Sequence, residues 1–180
     1  MPEPVPGLIS VVGGESTGKS TLAAALGAEL PGLVVGEFLR TWVDQRGGRT
    51  PTPGEQPAVM AAHREAELAA LRGARAAGLG WVVSDSGPLM TAVYSIQYHG
   101  DASLLPAAVE WTTHSERVLW CQDDFAWQPD PQRDGEHARA RSQEILAAVF
   151  AEHPGLPVLT VAGPLPERLD TVLSRVGRSA

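Results

Sequence analysis

The stretch VVGGESTGKSTLAAAL, Val11 to Leu26, runs from an apolar segment through a glycine-bearing loop into a helix-forming one. It contains Lys19, the single lysine of a 180-residue chain that also carries thirteen arginines. Residues 13–20 within it match the pattern G-x-x-x-x-G-K-[ST] in the required strand–loop–helix context. The glycines let the backbone curl so that successive N–H groups point inward at phosphate oxygens, and the following helix adds the positive end of its dipole. Gly13, Gly14, Glu15, Ser16, Thr17, Gly18, Lys19, Ser20 and Thr21 are therefore the expected ATP-binding set. Lys19 reaches for the β- and γ-phosphates and the Ser20 hydroxyl for magnesium. A slim ammonium can be wrapped by such a loop, whereas a planar guanidinium is wider and imposes fork geometry. That is reason enough for one lysine in an arginine-rich chain.

Outward from this loop, short apolar runs alternate with longer helical segments. The runs Leu8–Val12, Leu33–Val35, Trp81–Ser84, Arg117–Cys121 and Leu156–Val161 read as buried strands. The segments Lys19–Leu30, Glu55–Ala77, Leu89–Tyr98, Glu136–Glu152 and Pro166–Val176 read as helices. Gly47–Pro57 and Gln128–Gly135 are polar loops rich in proline and glycine. The alternation predicts one α/β domain over 1–180, a parallel sheet covered on both faces, with ligands beyond the carboxyl ends of the strands.

Composition narrows the function. A net charge of −7 weighs against nucleic-acid and anionic-membrane partners. No apolar run approaches the length of a membrane span, and the N-terminus lacks the pattern of a signal peptide. The single cysteine, Cys121, excludes an internal disulfide and suits a cytoplasmic setting; it reads as a small buried residue. The five histidines show no metal-ligand pairing and read as surface or core residues. With no asparagine and no second lysine, the [NT]-K-x-D element of a guanine-reading GTPase cannot exist here. The chain is also short for a motor or an AAA+ machine. What remains is a phosphotransferase holding ATP opposite a small acceptor.

Such an enzyme needs a carboxylate near magnesium, a base for the acceptor hydroxyl and cations over the transferring group. The third run ends in VVSDSG and places Asp85 where it meets the metal's water shell. The second ends in VVGEFLR, putting Glu37 opposite the phosphate loop as a general base, with Arg40 one helical turn later to hold the substrate or Glu37. An acidic residue opening a helix is the plainer alternative for Glu37. The fourth runs into CQDDFAWQPDPQRDGEHARAR, which has the make-up of an arginine-bearing lid over about 123–141. Arg133, inside the loop, is the arginine expected to act, ahead of Arg139 and Arg141. Trp127 serves either to stack on a flat ring or to pin the loop to the core. After the last strand, VAGPLPER sets Gly163 where backbone passes an adenine.

These segments, in order, resemble the ribosylnicotinamide (nicotinamide riboside) kinase domain of bacterial bifunctional NAD-salvage proteins. GEFLR is similar to that family's E-[YF]-x-R, and DDFAWQPDPQRD to its D-I-P-W-x-x-D-G-x-R, with the spacing Asp124–Trp127–Asp130–Arg133 kept. The resemblance implies a three-layer P-loop kinase-like sandwich with sheet order 2-3-1-4-5. It also implies ATP- and magnesium-dependent phosphorylation of the 5′-hydroxyl of a pyridine nucleoside, without the partner adenylyltransferase domain. By the same resemblance Trp127 lies near the base, Asp124 and Asp130 shape the acceptor pocket, and Arg133 belongs to the lid. Three positions depart from the family: Gly87 replaces the second acid of D-[TS]-D, Ala126 a proline and Pro131 a glycine. Two other readings stay open: a kinase for another acceptor, such as a nucleotide or a 5′-hydroxyl nucleic-acid end, and an ATP-binding regulatory module that transfers nothing.

Overall fold

A computed structural model describes residues 5–126 and 135–177. Five parallel strands, β1 (Gly7–Val12), β2 (Gly32–Val35), β3 (Trp81–Asp85), β4 (Arg117–Cys121) and β5 (Val158–Val161), form one sheet in the order β2-β3-β1-β4-β5. The expected α/β class and strand order are thus those observed. β1 lies in the middle, and its alternating side chains divide the core. Ile9 and Val11 face α1 (Lys19–Glu29) and α7 (Leu165–Val176), in a cluster with Leu22, Leu26, Leu119 and Val172. Val12 faces the opposite layer, packed with Leu89, Val93, Val109 and Leu146. That layer comprises α3 (Gln56–Ala76), α4 (Gly87–His99), α5 (Leu105–Thr112) and α6 (Glu136–Glu152). Each fully buried aliphatic residue contributes roughly 1.5–3 kcal/mol, so the continuous apolar runs on β1 and β3 are what fix the sheet.

Boundaries moved where tertiary packing overrides local signal. The fifth strand starts at Val158 rather than Leu156, which closes the preceding turn through its N–H to the His153 carbonyl. Two short helices, α2 (Phe38–Asp44) and α5, had no place among the expected helical segments. With seven and eight residues, they are too short to show a persistent apolar period. Both matter here, since α2 carries the residues facing the phosphate loop.

The parallel register brings the chemistry to one edge. Val11 pairs with Asp85 across β1 and β3, so the third strand ends level with the start of the phosphate loop. Ser86 N–H then bonds the Val11 carbonyl at 2.9 Å, and the chain turns abruptly into α4 with Ser86 at φ 75° and Gly87 at φ 51°. A left-handed serine is strained, and such strain gathers at functional sites. No helix among the described residues is long and apolar enough to cross a membrane.

Candidate active site

The phosphate loop wraps as its sequence requires. Gly18 sits at φ 79°, a conformation that residues with a Cβ adopt only with strain. Gly14 has no room for a side chain, because a Cβ there would lie 2.7 Å from the Arg139 carbonyl oxygen and 3.1 Å from its Cγ. Within the loop, Thr17 Oγ1 and Lys19 Nζ each donate to the Gly14 carbonyl at 2.8 Å. From outside, Gln143 on α6 accepts from Gly14 N–H at 3.2 Å while donating to the Cys121 carbonyl at 2.9 Å. The result is a concave run of backbone held from three sides, with Lys19 folded over it. A phosphate chain fits such a cradle.

A cleft of about 630 Å³ opens from this loop. One wall is Glu15 through Thr21; the other is Glu37, Leu39, Arg40 and Val43 on α2, Gln56 on α3, and Tyr94 and Tyr98 on α4. Glu37 stands at the N-cap of α2 yet makes no capping bond with its side chain. Its carboxylate instead lies 3.6 Å from Arg40 Nε and is 17% exposed, so it remains directed at the cleft. Glu37 thus opens a helix, where the dipole favours an acid, and lines the cleft as well. Burial, then the carboxylates of Glu37 and Glu15, push the Tyr94 hydroxyl well above its ordinary pKa. Tyr98 is 45% exposed and tilted against Tyr94 with ring centroids 6.2 Å apart, which leaves an aromatic surface on the cleft wall.

Asp85 is buried at the strand end, 5% exposed, and accepts from Ser86 Oγ at 3.4 Å. Ser20, exposed at the opening of α1, lines the cleft. Among the described residues no group of three histidine, cysteine, aspartate or glutamate side chains is gathered to hold a metal alone. Ser20 lines the cleft and Asp85 lies behind it at the end of β3; a hydroxyl and one carboxylate are the donor types suited to magnesium that keeps waters and borrows phosphate oxygens. Behind Asp85, Glu67 is fully buried and takes Ser84 Oγ–H and Trp111 Nε1–H on its two oxygens, while His63 Nε2 lies 3.0 Å from Ser84 Oγ. A Cβ at Gly87 would lie 3.5 Å from Glu67 Oε1. This gives the departure at position 87 a physical reason: a carboxylate there would be set against an existing buried one, on a backbone that favours glycine.

Asp124 and Gly163 come together away from the cleft lining. Gly163 N–H donates to Asp124 Oδ2, and the Arg168 guanidinium grips Asp124 Oδ1 together with three carbonyls, those of Thr17 (2.7 Å), Gly163 (2.8 Å) and Gln122 (3.0 Å). Burial pushes the Asp124 carboxyl up, but the Gly163 N–H and Arg168 outweigh it and hold it below its usual value. Arg139 is also buried, donating to the Phe125 carbonyl at 3.0 Å and pairing with Glu136 at 3.2 Å. Trp127, Asp130 and Arg133 lie outside the described residues. The sequence reading missed Gln56, Tyr94, Tyr98, Gln143 and Arg168. Of these only the tyrosines left a signal, two aromatic residues spaced i, i+4 on one helix face.

A family model described as an AAA domain matches residues 8–168, and the chain belongs to that family. Comparison with curated proteins gives no match. Among solved structures, NadR in complex with NAD and AMP-PNP superposes with a TM-score of 0.77 at 18% identity, over 98% of this chain and 51% of that one. NadR in complex with NR gives 0.75 at 18% identity, over 96% and 51%. Thymidylate kinase from Ehrlichia chaffeensis gives 0.66 at 15% identity, over 97% and 100%. The chain thus spans about half the length of the NadR chains. These similarities show the P-loop kinase-like fold that the sequence resemblance implied.

Proposed function

We propose that the protein is an ATP-dependent kinase that phosphorylates the 5′-hydroxyl of a nucleoside, with nicotinamide riboside as the leading acceptor. The observation carrying this reading is the shared cleft, in which Lys19 and the phosphate loop face Glu37, Arg40 and two tyrosines. An acceptor base against the tyrosines would leave its ribose directed toward Glu37. There the carboxylate takes the hydroxyl proton as the oxygen forms a bond to the γ-phosphorus, the β,γ-bridging bond breaks, and ADP leaves. Lys19 and the loop amides stabilise the charge that develops on the phosphoryl oxygens. Ser20 and Asp85 are the residues that would hold magnesium, which when bound would supply further positive charge for the transfer. Trp127, Asp130 and Arg133 keep, within this proposal, the base-contacting, pocket-shaping and lid roles implied by the resemblance. NadR, whose structure was solved with NR, supports the choice of acceptor, as does AMP-PNP in NadR for ATP.

The test is ADP formation by the purified chain with ATP, magnesium and a panel of nucleosides and nucleotides. Acceptor-dependent turnover with nicotinamide riboside among the best acceptors is expected. ADP formation that no acceptor stimulates would leave an ATP-binding regulatory module instead.

A further inference from the structure

Gln56 opens α3 and is 3% exposed, yet its Oε1 has no hydrogen-bond partner among the described residues. Among the described residues it is the only one lining the cleft that carries such a buried, unpaired polar atom. Buried carbonyl oxygens are nearly always paired, and an unpaired one in a binding cleft points to a partner that arrives with a ligand. Nor is Gln56 loosely placed. Arg49 Nη1 and Nη2 form a two-pronged bond to the Glu55 carboxylate at 2.7 and 2.8 Å, and Thr52 donates to the same carboxylate through both N–H and Oγ1 at 2.9 Å. Gln56 N–H in turn bonds the Thr52 carbonyl at 3.2 Å. The approach to α3 is thereby pinned, and the amide side chain is presented from a fixed backbone.

A primary amide offers one acceptor beside its N–H donors, and its best complement is another primary amide, which pairs with it two bonds at a time. A carboxylate in the same place supplies no donor. It would also enter a cleft whose lining carries Glu15, Glu37 and Asp44 against Lys19 and Arg40. We infer that Gln56 is a specificity-determining residue whose side-chain amide pairs with a primary carboxamide on the acceptor's ring, so that the cleft selects the amide over the corresponding acid. This rests on the nucleoside-kinase reading above and names the chemical feature that its acceptor must carry.

The experiment is calorimetric titration of the full chain, with AMP-PNP and magnesium present, by nicotinamide riboside and by nicotinic acid riboside. For the unmodified protein the carboxamide is expected to bind about ten- to a hundred-fold more tightly, the range set by leaving one buried acceptor unpaired. Gln56→Met, close in shape but without the amide, should shrink that ratio about tenfold or more. Gln56→Glu keeps an acceptor and adds a charge, so it should widen the ratio; this variant decides the matter if Gln56→Met fails to fold by circular dichroism. Equal binding of the two ribosides, or a ratio that neither variant moves, overturns the role of Gln56 and leaves the kinase reading standing. Binding of neither riboside overturns both.

Discussion

Arg168 is the residue through which the phosphate loop, the end of β4 and the connection after β5 are tied together, and replacing it should show how far the site depends on that tie. Arg168→Met keeps the length and apolar bulk of the stem but removes every donor. Four hydrogen bonds vanish, to the Thr17, Gln122 and Gly163 carbonyls and to Asp124, and the guanidinium stacked 4.4 Å above the Phe125 ring goes with them. Breaking a buried ion pair by removing one partner costs about 3–5 kcal/mol. The Asp124 side chain is 32% exposed, so water recovers part of its solvation and the lower end, about 3 kcal/mol, is the better figure. For a domain of this size that lowers Tm by roughly 6–12 °C. The loss should reach the ligand as well, because the Thr17 carbonyl belongs to the phosphate loop. AMP-PNP affinity is therefore expected to fall along with stability. Urea unfolding with and without AMP-PNP measures both effects. Arg168→Lys retains the charge without the fork and should fall between the two. A loss under about 1 kcal/mol in Arg168→Met, with unchanged AMP-PNP affinity, would refute the clamp.

Three further outcomes follow from the same geometry. Lys19→Ala should cut acceptor-dependent ADP formation by about a hundredfold or more, since it deletes a preorganised cation; near-normal rates would exclude the proposed chemistry. Gly14→Ala should force apart the phosphate loop and the first turns of α6, where its Cβ would come within 2.7 Å of the Arg139 carbonyl. The expected cost is about 1–3 kcal/mol by urea unfolding, together with weaker AMP-PNP binding. Burial lowers the His63 pKa from 6.5 to about 4, so between those values the unfolded chain binds a proton that the native one does not, and about 3 kcal/mol of stability is lost as pH falls across that window. Burial raises the Glu67 pKa above 4.5 and so acts with the opposite sign, which means that His63→Gln should flatten or reverse the slope of unfolding free energy against pH in that range.

The phosphate loop was legible because the motif that marks it is local: three glycines, a lysine and hydroxyl residues within eight consecutive positions. The placement of Glu37 and Asp85 was legible for a related reason, since both fall at strand ends and parallel topology sends strand ends to one edge. Arg168 was not, although it follows Gly163 by five positions, because its partner Thr17 is 151 residues away and only the packing of α7 against α1 brings them together. Gln143 is the same case, reaching Gly14 across 129 residues. Gln56 falls where the polar loop Gly47–Pro57 overlaps the start of the expected helix Glu55–Ala77, and nothing there marks the residue as buried.

Gly87 shows how a departure can be visible in sequence while its meaning stays hidden. Against the family pattern it reads as a carboxylate lost from the acceptor side. In the fold, position 87 faces inward, toward Glu67 Oε1 and Ser10 Oγ, at the start of a helix entered through a strained serine. A carboxylate already stands beside that point, contributed by α3 rather than by the strand end, and Ser84 and Trp111 occupy both of its oxygens. It is sealed from the cleft. Among the described residues, Glu37 is the strand-end acid that lines the cleft, and on the proposed reading it is the one left to the acceptor side. On the proposed reading, Arg40, the tyrosines and the amide of Gln56 are, among the described residues, those that would add polarity for reading an acceptor. Substituting one acid for glycine at the surface would have been a change of degree. On the proposed reading, a carboxyl group buried at Glu67 rather than facing the cleft from position 87 changes which atoms are left to recognise an acceptor.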